Sequence, residues 1–198
     1  MDDTRERILQ ATLRVYAEAG FRGATTRRVA QEAGVNEITL FRQFGTKEAL
    51  VKAALKAGAH GTRVAPLDPQ DPESELYDWA LTTYRHWYEH RRLINQVMSD
   101  LAEHPEIAPG ICEEPRCEHA SLAGYLTRLR DKGMTTRPFH ADAAAGLLLG
   151  SVFTHAMWRD HFDKPGLPPV AEVIRQYVSL LLAAVGARSA AEVSRGKR

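Results

Sequence analysis

Three groups of residues could do chemistry by their type and spacing. His86, Glu89 and His90 stand as H-x-x-E-H, the form of some zinc peptidases, where two imidazoles hold the metal and the carboxylate acts as base. Cys112 and Cys117, with Glu113, Glu114, Glu118 and His119 beside them, offer metal ligands or a thiol sensor. Thr25-Thr26-Arg27-Arg28 and Thr46-Lys47 put cations just after threonines, which are good helix N-caps. A helix start carries partial positive charge, so a cation there is unfavourable unless an anion sits in front. Two such starts flanking one short helix describe a clamp on a phosphate backbone around a reading helix.

The first two groups have plainer readings. The H-x-x-E-H run closes an amphipathic segment just before Arg91-Arg92, with no downstream ligand motif. A zinc-dependent hydrolase using His86, Glu89 and His90 is therefore the weaker alternative, and no catalytic residue, metal or cofactor is expected. Two cysteines in the whole chain fit reduced thiols in a reducing compartment.

The elements that position the clamp follow from periodicity. Ile8, Leu9, Ala11, Thr12, Val15, Tyr16 and Ala19 form one helical stripe, which Gly20 is expected to end. A second helix is expected over 26–33, stopped by Gly34, and a third over 36–44, stopped by Gly45. A fourth begins near Lys47 and runs on through 47–63. Prolines mark a loop over 65–72. Further helices are expected over 73–90, 91–104, 116–132, 141–162 and 170–185, with a turn over 164–169 between the last two. No period-two pattern appears. The fold class is all-α: a three-helix unit with the form of a helix-turn-helix over 1–50, a larger helical domain over 51–190, and a polar tail over 191–198. The tail cations Arg195, Lys197 and Arg198 are expected to be solvated.

Composition sets outer limits. The chain has 198 residues, 44% of them hydrophobic, and a net charge of +1, so any DNA-binding charge must be local. Mean hydropathy is -0.34, no run of apolar residues is long enough to span a bilayer, and the N-terminus MDDTRERIL has no signal-like apolar region. A cytoplasmic protein without a membrane partner is expected.

Within the clamp, Ala33-Gly34-Val35 supplies the small residue and the apolar anchor of a tight turn. Leu40 and Phe44 share a buried face at i, i+4. That leaves Asn36, Glu37, Thr39, Arg42 and Gln43 for the groove, where arginine forks onto guanine and asparagine or glutamine onto adenine. Glu37 could accept from cytosine, or point to solvent, which is the simpler placement beside DNA. The run TTRRVAQEAGVNEITLFRQFGTKEAL, with Tyr16, Gly20 and Phe21 before it, resembles the DNA-binding domain of the TetR (tetracycline-repressor-like) family of bacterial transcriptional regulators over about residues 4 to 55. The resemblance implies a homodimer on a palindromic, double-stranded operator. It also implies that Thr26, Arg28 and Lys47 touch phosphates while residues 36 to 43 reach base edges. Phe41 stands where the family commonly has tyrosine, which keeps the packing and removes one hydroxyl contact to phosphate.

The remainder is expected to dimerise and to bind an effector. Gly146 and Gly150 share a helix face, and the last helix carries a broad stripe including Ile174, Tyr177, Val178 and Leu181. Two such helices per subunit suit a four-helix dimer interface. Trp79, Tyr84, His86, Trp87, Met98, Tyr125, Phe153, Met157 and Trp158 are candidates to line a pocket for a small apolar or aromatic effector, with His86, His155 and Arg159 as polar handles. The expected function is a regulator, acting as a repressor released by that effector. A second domain without a cavity would point instead to a ligand-independent DNA-binding protein.

Overall fold

The structure is a computed structural model that describes residues 3–58, 68–107, 113–162 and 168–188. Among these it is all-α. The helices are α1 (Asp3–Gly23), α2 (Thr26–Ala33), α3 (Glu37–Phe44), α4 (Lys47–Gly58), α5 (Pro72–Glu89), α6 (Arg91–Asp100), α7 (Glu113–Asp131), α8 (Ala141–Phe162) and α9 (Val170–Val185). A short 3-10 turn spans Pro105–Ile107. The extended pairing among the described residues is a bridge from Thr135 to Ala187. Cys112, residues 59–63 of the expected fourth helix, residues 65–67 and 164–167 of the two connections, and the tail from 189 lie outside the described residues.

Two of the expected boundaries move for a clear local reason, and α7 begins at Glu113 instead of at 116. Gly20 bends α1 instead of ending it, at φ 66° and ψ −173°. The bend frees the Phe21 N–H, which donates to Asp100 Oδ2 at 2.8 Å. A Cβ on Gly20 would lie 2.5 Å from the Gln96 side chain, so both the left-handed φ and the close approach require glycine. The helix that begins at Arg91 stops at Asp100 rather than reaching His104. Pro105 follows, and the residue before a proline is pushed out of the helical region.

The chain divides into two compact units. One comprises residues 1–62 and 90–115, the other 63–89 and 116–198. In the first, α1 is the hub, with α2, α4 and α6 packed on it. Ile8, Ala11, Val15, Tyr16, Val29, Leu40, Leu50, Val51 and Val97 fill its core. In the second, α5 packs against α8 and α9. Leu76, Leu122, Leu126, Leu129, Leu148, Val152, Ile174 and Val178 are buried there, and the Tyr125 hydroxyl donates to Glu75 Oε2 at 2.5 Å, tying α7 to α5.

Candidate DNA-binding surface

The α2–turn–α3 segment is fixed by backbone caps and by one arginine. Thr25 caps α2, its Oγ1 accepting the Arg28 N–H at 3.2 Å. Gly34 ends the helix at φ 65°. Val35 N–H then donates to Ala30 O at 3.0 Å and Gly34 N–H to Gln31 O at 3.2 Å, the paired bonds of a Schellman stop. Arg7 of α1 donates from Nη2 to Ala33 O at 2.9 Å, placing a cation on the negative end of α2. Asn36 caps α3, its Oδ1 accepting the Ile38 N–H at 2.9 Å. Thr46 caps α4 through the Ala49 N–H at 3.1 Å.

These bonds decide which side chains face outward. Leu40 is buried and Phe44 half-buried, with the Arg5 guanidinium 4.5 Å from the Phe44 ring centroid. At about 100° per residue, Ile38 and Arg42 fall opposite that row. Ile38 is 73% exposed, Phe41 is half exposed, and Thr39 lies alongside. Arg42 is exposed and forms no ion pair among the described residues.

Two residues expected to read the groove are engaged elsewhere, and a third has its acceptor buried. Glu37 neither faces a base nor points freely to solvent, because it accepts the Thr26 hydroxyl proton and ties α3 to α2. Gln43 has its Oε1 buried without a hydrogen-bond partner, so it lacks the exposed acceptor an adenine fork needs. Asn36 has committed Oδ1 to the cap and keeps its amide donors. Sequence alone does not single out Ile38, although its position opposite the Leu40–Phe44 row is a readable signal.

The expected phosphate clamp is rearranged in the same way. A hydroxyl has one proton, and Thr26 gives its proton to Glu37, so it has none for a phosphate. Thr25 and Thr46 act as acceptors in their caps and retain their protons. Arg28 pairs with Glu18 at 2.6 Å, whereas Arg27 is exposed and forms no ion pair among the described residues. Lys47 is held from both sides. Its Nζ lies 4.6 Å from the Phe21 ring centroid and donates to Arg22 O at 3.3 Å. Burial lowers its pKa, against the attraction of Glu48 and Asp100.

The other expected sites fare unevenly. Trp79, Tyr84, Trp87, Tyr125 and Met157 are buried in the second unit, with His86 and Phe153 half-buried there. Trp87 meets Phe153 edge-on at 5.4 Å. Met98 lies on α6 in the first unit and is 58% exposed. Trp158 turns outward, half exposed, with its ring against His161. On the expected dimer face, Gly146 and Gly150 are exposed and Tyr177 is half-buried. Ile174, Val178 and Leu181 are buried in the protomer's own core and leave no surface for a partner. The exposed apolar positions are Leu147 on α8 and Leu180 on α9. Among the described residues no three His, Cys, Asp or Glu side chains group to hold a metal, and no helix is long and apolar enough to cross a membrane. Cys117 is exposed.

Comparison with known proteins agrees with this geometry. The family described as bacterial regulatory proteins, tetR family, matches residues 8–54. The HTH-type transcriptional regulator YvkB of Bacillus subtilis (strain 168) is 29% identical over 164 residues, 79% of this chain and 85% of that protein. A TetR-family structure from Mesorhizobium loti MAFF303099 superposes with a TM-score of 0.75 at 21% identity, covering 93% of this chain and 97% of that one. The flavonoid-responsive regulator FrrA superposes with a TM-score of 0.72 at 22% identity, covering 96% and 100%. With its helix-turn-helix over the matched residues and this relative across most of its length, the chain belongs to the TetR family of DNA-binding transcriptional regulators.

Proposed function

We propose that this regulator is a cytoplasmic repressor, which binds a palindromic operator as a homodimer and leaves it when a small molecule occupies the second unit. The observation that carries the DNA half is the outward row Ile38, Phe41 and Arg42 on α3, flanked by the capped starts of α2 and α4. Arg42 is the guanine reader, Ile38 the contact to thymine methyls, and Thr25, Arg27, Thr46 and Lys47 hold the backbone. Reading is assigned to residues up to about 50, and effector binding and dimerisation to the chain beyond, up to about 190.

Exposed Leu147, Gly150 and Trp158 on α8 and Leu180 on α9 support a helical dimer face. Two reading helices must then match major grooves roughly 34–36 Å apart. An effector that favours another spacing lowers operator affinity by its differential affinity for the two states. FrrA, flavonoid-responsive by name, lends support to a small-molecule effector here.

The test is selection of bound duplexes from a random pool, with sedimentation of the protein. Two-fold symmetric operators and a dimer are expected. Leu180→Asp should give monomers that fold but bind a selected operator at least tenfold more weakly. Asymmetric sites, or a dimer untouched by Leu180→Asp, would overturn this arrangement.

A further inference from the structure

His155 and Arg159 stand one turn apart on α8, inside the second unit. His155 is 9% exposed. Its ring centroid lies 5.7 Å from that of Tyr84 on α5 and 6.1 Å from that of Tyr177 on α9. His155 Nε2 and Arg159 Nη1 are both sealed from solvent, and neither has a hydrogen-bond partner among the described residues. Arg159 forms no ion pair among those residues. The next carboxylate along the helix, Asp160, accepts the Tyr88 hydroxyl proton at 2.8 Å.

Unsatisfied buried polar groups are costly, and native proteins keep few of them. Two on adjacent turns of one helix add nothing to stability. They make sense as groups whose partner arrives from outside. A guanidinium only donates, so that partner must accept, and an anion makes the strongest bond to it. Burial first, and then the Arg159 charge, lowers the His155 pKa, so the imidazole is neutral near pH 7. With its proton on Nε2 it is a second donor. Two donors suit the two oxygens of a carboxylate, and Tyr84 and Tyr177 leave an aromatic, apolar surrounding for the rest of the ligand.

We propose that the effector is an organic acid with an aromatic or apolar body, its carboxylate held by Arg159 and His155. This rests on reading the second unit as the effector-binding part.

The test uses the full chain without DNA. Binding of 3-phenylpropionate and of decanoate, each beside its neutral primary amide, is followed by calorimetry and tryptophan fluorescence. At least one acid should bind about tenfold or more tightly than its amide, as loss of a charge-assisted bond implies. Arg159→Gln should remove that preference and leave amide binding within about twofold. Arg159→Met should raise the thermal midpoint of the unliganded protein, because it removes a guanidinium nitrogen sealed from solvent without a partner among the described residues. Equal binding of acid and amide, binding by neither acid, or an unchanged preference in Arg159→Gln would overturn the assignment. A selected operator separates this proposal from the release step. An acid that binds through Arg159 without loosening DNA supports the site and refutes release, and release by the amides alone refutes the site.

Discussion

Ile38→Ala tests the reading face most sharply, because the side chain is neutral and contributes little to the fold. At 73% exposed, Ile38 has about a quarter of its surface covered by the protein itself. The substitution removes the carbons beyond Cβ, each worth about 0.8 kcal/mol when buried. If DNA covers the exposed part, the loss is roughly 1.5–2 kcal/mol, or about ten- to thirtyfold in affinity. Folding stability should change by less than about 0.5 kcal/mol. Fluorescence anisotropy on a selected operator and a scrambled duplex, between about 50 and 200 mM salt, separates the contributions. The expected result is a loss on the operator alone, with an unchanged salt slope, because no charge has been removed. An equal loss on both duplexes, or no loss at all, would refute the placement of Ile38 against bases.

Lys47→Ala should behave oppositely, weakening binding to both duplexes and flattening the slope of log affinity against log salt by about one phosphate contact. Asp100→Ala leaves the Phe21 N–H at the Gly20 bend without its acceptor and should lower stability in urea by about 2 kcal/mol. Burial raises the Asp100 pKa, but bonds from Phe21 and Gln96 and the nearby Tyr16 hydroxyl, which closes no well-formed bond to it, bring the net value down. This contribution is therefore present at neutral pH and lost as pH falls below the usual carboxylate range. His155 acts nearer neutrality. Its pKa is lowered by burial and by Arg159, so its contribution is full above about 6.5, the value in an unfolded chain, and falls as pH drops below it. His155→Gln should flatten urea stability between pH 7 and pH 5 relative to wild type, and parallel curves would contradict the assignment.

The DNA-binding unit was legible because its signals are local. Caps at Thr25, Asn36 and Thr46, and the Gly34 stop, act over a few residues and are spelled out in order. Side-chain commitments were harder. Thr26 and Glu37 are a polar pair eleven positions apart, and Asp100 reaches Phe21 across seventy-nine. Periodicity carries no information on such pairings. Gly20 shows the limit well. A glycine after a helical stripe reads as a stop, yet the acceptor that lets the helix resume comes from α6.

The second unit shows why a stripe does not name its partner. Ile174, Val178 and Leu181 repeat at helical spacing, as both a core face and a dimer face would. In α9 that row turns inward, and the exposed leucine is Leu180, one position off it. A helix apolar over most of its circumference has two faces to cover, and the better-aligned row takes the protomer core. The row left over is shorter, broken by Gln176 and Ala183, and looks unremarkable in sequence. The same reasoning separates Met157, inside, from Trp158, outside: one residue turns a helix by about 100°, enough to carry a large apolar side chain from core to surface. A surface expected for a second subunit is therefore better sought in the row that the core leaves uncovered than in the most regular apolar stripe.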